Sequence, residues 1–228
     1  MSQSPILFII PGVCSFGSQI TLELLSIPYQ IGITTPEIRA SDKFRKINPT
    51  GKVGALKDGE NTIGENLAIL LYLADKYPNS SIAPKVGTVE RSKVYQWLSY
   101  LSSTLHPAFG QNLFPENFIS SDLIENFKQI AYPKLINVLT YINQELAKTN
   151  RKFINSNLTI VDAQAYALLK WTKSHRKIQN LVDLKPFPQI ELFLNEMEQH
   201  QAVQNALSIE QNRSNHVLNS KFSGYYEF

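Results

Sequence analysis

The 228-residue chain holds a single cysteine, Cys14, so no intramolecular disulfide can form and the core alone must hold the fold. That usage suits a reducing compartment. Nowhere do apolar residues run to the ~20 that a membrane-spanning helix needs. The opening Met1-Ser-Gln-Ser-Pro5 carries no basic residue, and the apolar run Ile6–Ile10 is too short for the core of a secretory signal. The expectation is a cytoplasmic protein without a membrane partner. Charge of one sign is also scarce, at a formal net +3. The densest basic cluster, Lys173-Ser-His-Arg-Lys177, reads as a solvated helix end and not as a nucleic-acid surface. His175, His200 and His216 lack metal-ligand spacing, no glycine-rich phosphate loop occurs, and no Ser/His/Asp arrangement stands out. No metal is expected.

What is present is apolar material: 43% hydrophobic against 18% charged residues, enough for one large core or two modest ones. Ile6–Ile10, stopped by Pro11-Gly12, reads as a buried strand. In the following Ser15–Leu25, Ile20, Leu24 and Leu25 share a helical face, and Ser15 or Ser18 is placed to cap it. Tyr29–Thr34 reads as a second strand, and a β-α-β opening normally sets its strands parallel. Glu37–Ile47 reads as a short irregular helix, and Asn48-Pro-Thr-Gly51 as a turn. Strands at Val53–Lys57 and Asn61–Ile63 meet through the hairpin dipeptide Asp58-Gly59, and an apolar helix then runs to Tyr77-Pro78.

The chain thus divides into an α/β domain at 1–78 (β-α-β-α-β-β-α), a Pro- and Ser-containing linker at 79–87, and an all-helical domain at 88–228. In the last, apolar residues keep helical spacing over Val89–Leu105, Leu123–Leu146, Ile160–Thr172 and Pro188–Gln199. Thr159 and Asp162 carry the signature of a reciprocal helix cap. Beyond about Leu207 the polar tail is expected to be loosely ordered, except where the aromatics of Gly224–Phe228 dock.

Three places carry chemistry. In Pro11-Gly-Val-Cys14-Ser the thiol stands at a strand-to-helix junction, where free N–H groups and the helix dipole favour thiolate; the bland reading is a small buried cysteine. No second cysteine is available, so a redox Cys14 needs an external thiol. Gly64-Glu65-Asn66 opens a helix, where N–H groups suit an anion and Glu65 an ammonium, together an amino-acid head group; ordinary capping is the alternative. His106, in Thr-Leu-His-Pro, can serve a sulfur in a cleft or be a partly buried structural residue.

These pieces in this order resemble the glutathione transferases, particularly the bacterial beta class, over roughly residues 5–207. The resemblance rests on Pro11–Ser15 with Gln19-Ile-Thr-Leu22, Asn48-Pro-Thr-Gly-Lys-Val53, Glu65-Asn-Leu-Ala-Ile69 with Tyr72-Leu-Ala-Asp75, Trp97-Leu-Ser-Tyr100, Leu105-His106, and Leu158-Thr-Ile-Val-Asp162-Ala163. It implies a thioredoxin-like N-terminal domain, a helical C-terminal domain and a homodimer. The implied activity is conjugation of glutathione, a cosubstrate, to small apolar electrophiles in detoxification, with thiol-disulfide reduction through Cys14 as a companion. The resemblance implies that Cys14 and His106 meet the glutathione sulfur, and that Val53 pairs with its cysteinyl unit. Glu65 and Asn66 would hold the γ-glutamyl head and Arg39 the glycine carboxylate; Phe109, Phe114, Tyr166 and Trp171 are candidates for the acceptor pocket. The Thr159–Asp162 pair matches the family's capping box. Three departures stand out: Gly54 replaces a cis-proline, Ile9 and Ser99 replace a tyrosine and an asparagine frequent in the beta class, and the tail is longer. Gly54 motivates a second expectation, a non-catalytic ligand-binding or protein-interaction member of the same fold.

Overall fold

A computed structural model describes residues 4–154, 157–211 and 217–228; residues 1–3, 155–156 and 212–216, His216 among them, lie outside it. Strand β1 (Ile6–Ile9) buries Leu7, Phe8 and Ile9 completely, as a central strand covered on both faces must. Helix α1 (Phe16–Leu25) carries the chain across to β2 (Tyr29–Ile33), which pairs parallel with β1 from Ile6↔Gln30 to Ile9↔Ile33. Two short helices follow, α2 (Pro36–Ala40) and α3 (Asp42–Arg45), where one irregular helix was expected. Strand β3 (Ala55–Asp58) runs antiparallel to β1 and turns through Gly59, at φ 60°, into β4 (Asn61–Gly64). Helix α4 (Asn66–Lys76) then lies against the sheet.

Helix α5 (Val89–Tyr100) passes through a π-helical turn (Leu101–Leu105) into α6 (His106–Leu113). Helices α7 (Ile124–Lys148), α8 (Ile160–Leu169), α9 (Pro188–Gln199) and α10 (Gln201–Glu210) complete the helical layer. Every residue of α8 is buried, the signature of a core helix, and α8 packs against α1 to join helical layer to sheet. Its start is the reciprocal cap expected of Thr159 and Asp162. No helix of the described residues is long and apolar enough to cross a membrane.

Two expectations are corrected here. Among the described residues beyond Leu207, where a loosely ordered tail was expected, α10 continues to Glu210, and Phe222–Tyr225 forms β5, parallel to β2, giving the sheet order β4-β3-β1-β2-β5. A strand thus interrupts the helical region, because the edge of β2 offers unpaired backbone groups that an extended aromatic segment can satisfy. Nor does a serine cap α1. The Ser15 hydroxyl is buried without a partner, and Ser18 donates to Asn66 Oδ1 instead.

Candidate functional site

Between sheet and helical layer lies a cleft of about 190 Å³. Its sheet side comprises Cys14 before α1, Asn48, Lys52, Val53 and Gly54 around the turn before β3, and Glu65, Asn66 and Leu67 at the start of α4; Leu98, Ser102, His106 and Gln164 face them from the helices. The Asn48-Pro-Thr-Gly turn is built by one side chain. Asn48 Oδ1 accepts from the Thr50 N–H and hydroxyl, and Nδ2 donates to Lys52 O at 2.8 Å. That placement sets Val53 and Gly54 in the wall, and the peptide between them is cis.

Cys14 is half-buried, and burial pushes its thiol up to about 11. Donation from the backbone N–H groups of Cys14 and Ser15 works the other way, and the charge of Glu65 adds to the rise. Desolvation thus works against the thiolate expected at the helix end. Glu65 occupies the N-cap position of α4 at φ 65° and ψ 117° without capping it. A non-glycine residue in the left-handed region carries a cost of about 1–3 kcal/mol, a feature concentrated at functional sites. Asn66 is locked from both layers, with Ser18 donating to its Oδ1 at 2.5 Å and its Nδ2 donating to Gln164 Oε1.

His106 owes its place to the π-turn. Its N–H reaches back to Leu101 O, and the following Pro107 has no N–H to continue an α-helical ladder. Burial lowers the His106 pKa, opposed by Glu65, so the imidazole is neutral at pH 7 and packs 5.5 Å from the Trp171 ring.

Other assignments do not meet the cleft. Arg39 turns away, donating through Nη1 to Thr34 O and Oγ1 at 3.2 and 3.3 Å, while the exposed Lys52 supplies a cation at the rim. Phe109, Tyr166 and Trp171 are buried in the helical core, and Phe114 packs on His175; none of the four lines the cleft. Aromatics at helical spacing look alike whether they fill a core or face a pocket, so Leu67 and Leu98 supply the apolar wall instead. Asn48 and Lys52 lay in a recognised motif but read only as turn. Gln164, a lone amide on an apolar helix, was the available signal for its role. Nothing in the sequence announced Glu210. Its carboxylate accepts the Gly12 N–H at 3.1 Å, while Trp171 Nε1 donates to Gly12 O at 3.0 Å, so side chains of the helical layer grip the Cys14 loop at both polar groups of one residue.

The family model described as glutathione S-transferase, N-terminal domain, matches residues 18–81. The glutathione S-transferase GstA of Escherichia coli O157:H7 is 29% identical over 208 residues, covering 90% of this chain and 98% of that protein. Among solved structures, the bacterial beta class glutathione S-transferase of Sphingomonas chungbukensis is 31% identical, with a TM-score of 0.77, 90% of this chain covered and 98% of that one. A sphingomonad glutathione S-transferase solved in complex with glutathione is 30% identical at a TM-score of 0.78, over the same shares of the two chains.

Proposed function

This chain belongs to the glutathione S-transferase family, and on that premise we propose that the cleft binds reduced glutathione and conjugates its thiol to small apolar electrophiles. The observation that carries this is the convergence of Cys14, Val53, Glu65, Asn66 and His106, from two layers of the fold, on one cleft. Glu65 receives the γ-glutamyl ammonium, and the N–H groups at the start of α4 receive the carboxylate beside it. The main chain at Val53 pairs with the cysteinyl unit, which aims the sulfur between Cys14 and His106. Lys52, in place of Arg39, meets the glycine carboxylate.

The Cys14 thiol keeps its proton at neutral pH. It therefore acts as a hydrogen-bond donor to a glutathione thiolate, and such charge-assisted bonds are the strong ones. Neutral His106 accepts the proton that glutathione loses. The sulfur electron pair then forms the carbon–sulfur bond while the electrophile's leaving group departs with its own pair. Reduction of a mixed disulfide would need Cys14 as thiolate, which its burial opposes, so conjugation leads. Likeness to a beta class structure supports a beta class enzyme, and we assign it a homodimeric, cytoplasmic, detoxifying role. The non-catalytic alternative rested on Gly54; with Val53 and Gly54 both lining the cleft, nothing in the site favours it.

The test is calorimetric titration with reduced glutathione, followed by conjugation of an aryl halide by wild type, Cys14→Ser and Cys14→Ala. Wild type is expected to bind in the micromolar-to-millimolar range. Serine, still a donor, keeps the rate within about threefold, and alanine lowers it about 10- to 100-fold. Absence of glutathione binding would overturn the reading; full activity of Cys14→Ala would remove Cys14 as the donor.

A further inference from the structure

Over residues 36–53, the last of which wall the cleft, only Phe44 and Asn48 are buried. Helix α2 buries no residue and α3 only Phe44, and helices this short do not persist by themselves. Phe44 packs on Phe8 at 5.8 Å, and the other end of the chain closes the same cluster. Past β5, the Tyr226 N–H donates to Ile31 O at 2.8 Å, and the Tyr226 and Phe228 rings enter an aromatic cluster beneath α3. Phe8 meets Tyr226 edge-on at 5.6 Å and Phe228 at 5.5 Å, and Phe228 meets Phe44 at 6.2 Å. Lys43 of α3 also sits over the Tyr226 ring.

From Phe44 the connection to the cleft is continuous. The Phe44 carbonyl accepts the N–H groups of Ile47 and Asn48, both at 2.8 Å. The Asn48 side chain then fixes the turn through Lys52 O, and Val53 packs in the same apolar cluster as Phe44 and Phe228. Asn48, Lys52 and Val53 all line the cleft.

We propose that residues 217–228 form a strap that holds the glutathione-binding wall in place, with Tyr226 and Phe228 as positioning residues acting through Phe44. The strap lies beyond residues 5–207, the stretch over which the sequence resembles the glutathione transferases. The inference rests on the reading of the cleft given above. It concerns affinity for glutathione and not the chemical step, because neither ring lines the cleft that holds Cys14 and His106.

The experiment compares full-length wild type with Tyr226→Ala/Phe228→Ala and with Phe228→Leu. The readouts are kcat, KM for glutathione, and hydrogen exchange of the amides from 44 to 51. The double variant is expected to raise KM about tenfold with kcat within about twofold, and to speed exchange of those amides about tenfold. Phe228→Leu, which keeps the site mostly filled, restores KM to within about threefold of wild type. Unchanged KM and exchange in the double variant, or a loss confined to kcat, overturns the strap. Should the double variant fail to fold, Phe228→Ala alone takes its place, and an unchanged KM there has the same force. Wild type that does not use glutathione removes the reading of the cleft and the strap's role with it; wild-type turnover with an insensitive KM removes the strap alone.

Discussion

Glu210 holds the loop that ends in Cys14, and it does so as a carboxyl whose pKa burial has pushed up to about 7, against the pull of Lys170 and the Gly12 N–H. The folded value lies above the ordinary carboxylate value of 4.5, so between the two the native state binds more protons than the unfolded chain. Its contribution to stability is thus fullest below the lower value and is lost as pH rises through the upper one, by about 3 kcal/mol. His106, His175 and His200 act in the opposite sense, since burial lowers their pKa values and their contribution grows as pH rises. The readout is therefore the difference between wild type and Glu210→Gln, which keeps an acceptor for Gly12 but does not titrate. Urea unfolding at about pH 5 and about pH 8 is expected to show wild type losing about 2–3 kcal/mol relative to the variant. A constant difference would mean that Glu210 titrates as an ordinary carboxylate.

Elements were legible where a short-range period or a cap writes them. The β-α-β opening, the Asp58-Gly59 hairpin and the starts of α8 and α9 follow from residues close together in sequence. Strand β5 does not, because its partner is the edge of β2, and the Tyr226 and Phe228 that follow it meet Phe8 and Phe44 at the far end of the chain. Helix α8 shows how much one legible cap carries. Asp162 accepts from the Phe153 N–H at 3.1 Å, the Thr159 N–H at 2.8 Å and the Thr159 hydroxyl at 2.7 Å, all buried. Asp162→Ala strands these donors at the head of the helix that joins the layers. The expected cost is at least about 3 kcal/mol, a fall in thermal midpoint of about 6–12 °C for a chain of this size. Asp162→Asn, which keeps an acceptor oxygen, is expected to fall about half as far. A shift under about 2 °C for the alanine variant would show that water or a rearranged loop takes over the donors.

On the scale of the molecule, the cleft exists because two layers meet along α1 and α8, and the residues that line it come from both. Cys14, Glu65, Asn66 and His106 could be read as site residues because each sits in a local motif. Lys52 lay in a local motif but read only as turn, and the lone amide of Gln164 on an apolar helix could not name Asn66 as its partner, because that contact depends on the approach of distant helices. Gly17 makes that approach possible. A Cβ there would stand 2.3 Å from Gln164 Oε1 and 2.9 Å from Gln164 Cα, and main chain cannot yield as a flexible side-chain end can. Gly17→Ala must push α8 from α1 and break the Asn66–Gln164 hydrogen bond at the cleft floor. The expected cost is about 1–3 kcal/mol in urea unfolding, together with weaker glutathione binding by calorimetry. Gly110→Ala on α6 is the matched control: nothing stands within 4 Å of its new methyl group, so helix propensity makes it neutral or stabilising by up to about 1 kcal/mol. If the two variants behave alike, the seam is looser than the packing implies, and the link between layer contact and glutathione binding falls with it.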